Sequence, residues 1–156
     1  MRSEQEFLAE YARSHRNAFN QRMHMICVPA IFMATLGLFW LVPVGAWLGL
    51  SGTAASWVNL ATVSVLPVLW FYARLSGWAL RTGVIWLAAS FVVILLMQQL
   101  GMALFAPLLA LWLVAWAGQF WGHKVEGMKP SFADDLVFLL IGPLFVQQKW
   151  QRQTTV

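Results

Sequence analysis

Four predominantly apolar runs, at residues 26–48, 57–73, 80–97 and 102–120, constrain this chain more than any other feature. Each is close to the roughly twenty residues that an α-helix needs to cross about 30 Å of hydrocarbon. The composition agrees: 60% of residues are hydrophobic and only 10% are charged, far outside the soluble range. The expected fold is therefore all-α, a polytopic four-helix transmembrane bundle in which residues 1–156 form a single integral-membrane domain. Short connections predict antiparallel hairpins, with SGTAAS joining the first pair of helices and QQLG the second. Pro43, Pro67 and Pro107 are expected to bend their helices, since neighbours in a bundle can satisfy the freed carbonyls.

The ten lysines and arginines set the orientation. Arg2, Arg13, Arg16 and Arg22 precede the first run, Arg74 and Arg81 lie between the second and third, and Lys124, Lys129, Lys149 and Arg152 follow the fourth. With four spans every one falls on the same side, which places both termini in the cytoplasm of a bacterial inner-membrane protein. A fifth piece, FADDLVFLLIGPLFVQQKW, holds only about fourteen apolar residues after Asp135, too few to cross. It is expected to be interfacial or re-entrant, with Asp134 and Asp135 in the first turn of its helix, where negative charge suits the dipole. The opening SEQEFLAEYARS predicts an amphipathic helix with Ser3 and Glu6 as a capping box and Phe7, Leu8 and Tyr11 on one face. Glu4, Glu6 and Glu10 argue against a secretory signal peptide. Cys27 has no partner for a disulfide and reads as a small buried hydrophobe. The net charge of +4 and pI near 9.9 do not point to nucleic acid, because the basic residues sit at segment ends with no aromatic-interleaved patch.

The same topology brings His15, His24 and His123, the only histidines, to one membrane face. His15 and His24 are nine residues apart and would point about 180° apart on one straight helix. RNAFN intervenes, however, and Asn17 or Asn20 can cap a new helix, so a break there turns the two histidines toward each other. His123 and Glu126 share a face if the fourth helix runs through GHKVE. Three imidazoles and a carboxylate can thus converge, a donor set suited to ferrous iron or zinc.

HRNAFNQRMHMICVP, with His15, Asn17, Asn20, His24 and Pro29, together with QFWGHKVEGMKPSFADDL and the later GPLF, resembles the membrane family of 2-hydroxy fatty acid dioxygenases, iron-dependent enzymes of fatty acid α-oxidation. The chain departs from that pattern at Cys27, where many members have glycine, and at Ala18, where proline is common. The resemblance implies that His15, His24 and His123 bind Fe(II), with Glu126 beside them as a fourth metal and catalytic residue and Asn20 in support. It also implies that O2 and a long-chain 2-hydroxy fatty acid are consumed and the chain is shortened by one carbon. Membrane lipid is then the surrounding partner. Two other readings of the residues stand beside this one: a non-enzymatic membrane scaffold, and a b-type haem protein with two axial histidines.

Overall fold

The computed structural model describes residues 2–154, and every element among them is helical. Helix α1 spans Glu4–Arg13, α2 Ala18–Trp40, α3 Val44–Trp47, α4 Gly52–Trp57, α5 Leu60–Leu75, α6 Gly77–Gln99, α7 Phe105–Glu126 and α8 Phe138–Thr154, with a 3-10 turn at Ser131–Ala133. The break expected at RNAFN is present. α1 ends at Arg13, and Asn17 caps α2 by accepting from the Phe19 amide at 2.8 Å. Ala18 is the first residue of α2, a position where proline loses no hydrogen bond, so the departure from proline there leaves the helix start intact. The capping box of α1 also forms: Ser3 Oγ accepts from the Glu6 amide at 3.3 Å, and the Glu6 carboxylate accepts from the Ser3 amide at 2.6 Å.

Three helical stretches are long and apolar enough to cross a membrane: Ala18–Trp47, which holds α2 and the short α3, then Gly77–Gln99 and Phe105–Glu126. The fourth expected span, α5, has 16 residues and rises only about 24 Å, short of the full hydrocarbon thickness. α5 is bounded by Asn59, whose side chain caps its start, and by Ser76, and it keeps Pro67 inside it. Pro43 does not bend a longer helix. α2 stops at Trp40, Pro43 occupies the cap of α3, and the Phe39 carbonyl is taken by the Val42 amide at 3.1 Å, because a proline in the next position cannot donate to it. The connection then folds as α3 and α4, held by Gly45 N donating to Val58 O at 2.5 Å and Leu60 N donating to Val42 O at 3.2 Å. SGTAAS is therefore mostly helix, not a plain turn. Pro107 lies in the first turn of α7, where its missing N–H would have had no partner, so it bends nothing.

α2 and α7 approach closely because α7 presents small residues to α2. A Cβ placed on Gly118 would sit 2.8 Å from Cys27 Sγ, and one on Gly122 would sit 2.4 Å from Asn20 Oδ1. In lipid, where apolar side chains gain nothing by leaving their tails for a partner helix, such backbone approach is what holds helices together. Cys27 is buried and fills this contact, as expected of a small hydrophobe. A wide outer surface stays apolar and exposed, including Ile26, Leu66, Trp70 and Val114, consistent with contact to lipid.

At the charged end, α1 and α8 close the bundle. Phe7, Leu8 and Tyr11 pack with Tyr72, Phe138, Ile141, Leu144 and Phe145, and Tyr72 Oη donates to Leu140 O at 2.8 Å. α8 has 17 residues and is buried throughout residues 141–146, so it is more than a surface strip. Asp134 and Asp135 precede its first turn instead of standing in it. Asp135 accepts from the Val137 amide at 3.0 Å and pairs with Arg2, and Asp134 pairs with Lys129.

Candidate metal centre

The three histidines meet where α1 turns into α2 beneath the end of α7. His15, His24 and His123 are 2%, 1% and 4% exposed, and one ligating nitrogen from each lies within 4.8 Å of the others. Their ring centroids are 4.2, 4.8 and 4.9 Å apart and the ring planes cross at 86°, 78° and 88°, so three lone pairs can converge on one point.

Hydrogen bonds decide which nitrogens those are. His15 Nδ1 donates to the Tyr11 carbonyl at 2.6 Å, and His24 Nδ1 donates to the Asn20 carbonyl at 2.9 Å. A carbonyl can only accept, so each Nδ1 carries the proton and each Nε2 keeps its lone pair. Those two Nε2 atoms face each other across 2.9 Å with no hydrogen to share. Burial, and then the neighbouring His24, hold His15 down at about 2, so a charged imidazolium is not what fills the gap. His123 Nδ1 is buried without a partner as well, and one ring nitrogen of His123 lies within 4.8 Å of the ligating nitrogens of the other two. A cation accounts for all three. Two nitrogen ligands at right angles on one ion, with bonds of about 2.1 Å, lie about 3 Å apart.

The supporting shell is built from the sequence around the break. The Tyr11 ring stacks on His15 at 4.0 Å and 5°, fixing its plane. Ser14 Oγ lies 3.1 Å from His15 Nδ1 and 2.8 Å from Ser131 Oγ, tying the turn to the segment after α7. Asn20 is fully buried, and its Nδ2 donates to Ser14 O at 3.0 Å and to Glu126 at 3.2 Å. Hydrogen bonds of this kind set the tautomer and direction of metal-binding imidazoles.

Glu126 stands on the last turn of α7 as expected, but its carboxylate is turned to the start of α2. It accepts from the Arg16 amide at 2.9 Å, the Asn17 amide at 2.8 Å and Asn20 Nδ2, placing negative charge at a helix N-terminus. Among the described residues the converging group consists of the three histidines without it. Glu126→Gln is therefore expected to lower stability by about 1 kcal/mol and to leave metal content within about twofold of the parent. A loss of more than tenfold in metal affinity, on the scale of losing a ligand or its support, would make Glu126 a ligand after all. Reading the sequence alone missed Tyr11, Ser14, Gly118 and Gly122. The four-residue spacing of the two glycines is the signal that could have located the close contact of α7 with α2.

No curated protein and no solved structure matches the chain. The two polar ends that build this cluster, and the apolar helices between them, all fall within one family model, matched over residues 1–154. The chain therefore belongs to the Mpo1-like family, described as 2-hydroxy-palmitic acid dioxygenase Mpo1-like.

Proposed function

We propose that His15, His24 and His123 hold one Fe(II) ion and that the protein is a dioxygenase shortening a long-chain 2-hydroxy fatty acid by one carbon. The observation that carries this reading is the pair of unprotonated Nε2 atoms at 2.9 Å. Such lone-pair opposition inside a buried site is costly unless a cation lies between them. Held by His15, His24 and His123, an iron(II) ion would supply the redox chemistry with O2, and three neutral imidazoles would leave its charge available to an anionic head group with two chelating oxygens. The protein's own part is to fix the imidazoles through the Tyr11 and Asn20 carbonyls, to exclude bulk water by burying all three rings, and to hold the site at the depth where an amphipathic acid rests. Glu126 we assign to positioning, through Asn20 and the α2 amides.

Both rivals fit less well. A scaffold gives no reason for the unprotonated pair. Two axial haem ligands would stand about 4 Å apart on opposite sides of the iron, with bonds of about 2 Å each, and three rings packed edge to face leave no slot for a macrocycle between them.

Protein purified without oxygen is expected to carry iron. On exposure to O2 and a labelled long-chain 2-hydroxy acid, it should release a chain one carbon shorter. The nonhydroxylated acid, which leaves one of the groups meant for its hydroxyl unpaired, should react about a hundredfold more slowly. Equal turnover of the two acids, or none by folded, iron-loaded protein, would sink this reading.

The orientation of the chain belongs to the same proposal. Arg16 and Arg22 lie at the start of α2, Arg74 at the end of α5, Arg81 at the start of α6 and Lys124 at the end of α7. Residues 41–59 and 99–104, at the other ends of these helices, contain no charged residue. We place the basic end in the cytoplasm, with α4 and α5 together completing the second crossing. Reporter fusions after Ser51, Leu75 and Gly101 should read outside, inside and outside. An inside signal after Ser51 would refute the orientation.

A further inference from the structure

Beside the histidines an apolar cavity of about 490 Å³ runs into the bundle between α2, α5, α7 and α8. We infer that it receives the acyl chain of the substrate, head group toward the histidines, and that Phe39 and Ser64 at its inner end, where Leu60 N donates to Val42 O, set the longest chain accepted. This rests on the fatty acid reading above and adds to it the place and limit of the chain.

Three observations orient the occupant. At one end the wall is made by Tyr11, whose ring stacks on His15, and by Gln119, one turn before His123 on α7. At that same end Trp116 buries its Nε1 with no partner, a donor left for a polar guest. Toward the other end the polar groups of the wall are already satisfied: Trp112 Nε1 donates to Thr35 Oγ1 at 3.1 Å, and Ser64 Oγ donates to Ala61 O at 2.8 Å. The cavity thus has a polar-competent end on the side of Tyr11, which stacks on His15, and an apolar end away from it, the polarity of a fatty acid. Leu136 and Leu139, both exposed, form its rim, which opens the side of the protein to a guest arriving from the bilayer.

Its length follows from α2. Val28 and Phe39 both line the cavity, and the helix between them rises about 16 Å. A zigzag of C–C bonds of about 1.5 Å advances about 1.3 Å per carbon, so about thirteen carbons fit beyond the head. Lipid tails are as apolar as this wall, so moving a chain from bilayer to cavity gains little from burial itself. Selectivity must come from fit, and the inner end is where a chain too long must buckle.

The test uses the full chain in detergent, with and without iron. A series of 2-hydroxy fatty acids carrying a photoreactive group on the last carbon is crosslinked and mapped by mass spectrometry, and the length preference is read by competition with unlabelled acids. In the parent the label, resolved to the residue, should fall at Phe39 or Ser64, in metal-free protein as well. Ser64→Trp should shorten the preferred chain by about three carbons and Phe39→Ala should lengthen it by a similar amount, each bulk change being about 4 Å at about 1.3 Å per carbon. Should Ser64→Trp fail to fold, Phe39→Ala decides alone. Labels on lipid-facing Ile26 or Leu66, an unchanged preference in a folded variant, or a tightly held phospholipid that no acid displaces would overturn the inference. The two readings fail separately. Turnover with an unmoved length preference removes the cavity assignment only, whereas length-selective crosslinking without turnover removes the enzymatic reading only.

Discussion

His24→Ala protein, folded and inserted, is expected to bind iron at least about a hundredfold more weakly than the parent, with His15→Ala and His123→Ala behaving alike. Losing even the hydrogen-bond support of a ligand costs about 10- to 100-fold in affinity, and here the donor itself goes. A second readout separates this from general damage. Bound metal stabilises only the folded state, in proportion to the logarithm of its concentration over Kd, so added Fe(II) should raise the Tm of the parent and not of the variants. Without metal, the parent carries two lone pairs opposed at 2.9 Å. Metal-free His24→Ala, which removes that opposition along with some packing, should therefore lie near the metal-free parent in Tm. Undiminished iron content in any one of the three variants would remove that histidine from the site.

Gly122→Ala, a single added methyl group, should disturb both fold and site. The new Cβ would lie 2.4 Å from Asn20 Oδ1, 3.3 Å from its Cγ and 3.4 Å from its Cα, so turning the amide does not clear the clash. Asn20 has no room to retreat. It is fully buried, its Nδ2 bonds Ser14 and Glu126, and its carbonyl holds His24 Nδ1. α7 must back away instead, taking His123 with it. Overpacking costs about 1–3 kcal/mol, and each hydrogen bond lost with it about 1 kcal/mol more, so a total near 3 kcal/mol is expected, with weaker iron binding. Gly77→Ala, where nothing lies within 4 Å of the new Cβ, is the matched control and should be neutral or slightly stabilising. Unaltered denaturation and iron affinity in Gly122→Ala would show that the α2–α7 contact is looser than described.

Much of this was legible in particular residues. By rules of local geometry the capping box of Ser3 and Glu6 forms as read, and of the two caps open at the break, Asn17 and Asn20, Asn17 is the one used. The chain break between His15 and His24 followed from them. Other features were not legible for reasons equally particular. Pro43 could bend a helix or end it, and the choice lay with the compact turn that Gly45 makes against Ala55 and Val58. The Glu126 carboxylate shares a helix face with His123, which suggested a ligand, but its partners Arg16 and Asn17 lie more than a hundred residues earlier, beyond any spacing rule.

By itself the sequence determined the membrane class, the all-α fold and the gathering of every histidine and basic residue at one end of the bundle, because apolar length and charge position act along one dimension, while the α3–α4 connection and the shortness of α5 lay outside it. Only the tertiary structure decided that three nitrogens lie within 4.8 Å, that Glu126 turns toward α2, and that an open cavity adjoins the site. The reason lies in the rotation of each helix about its axis. A helix in lipid can be apolar on all sides, so no hydrophobic stripe marks its inner face, and that rotation is set instead by backbone approach at Gly118 and Gly122 and by the hydrogen bonds of Asn20, contacts made only when the helices are packed together.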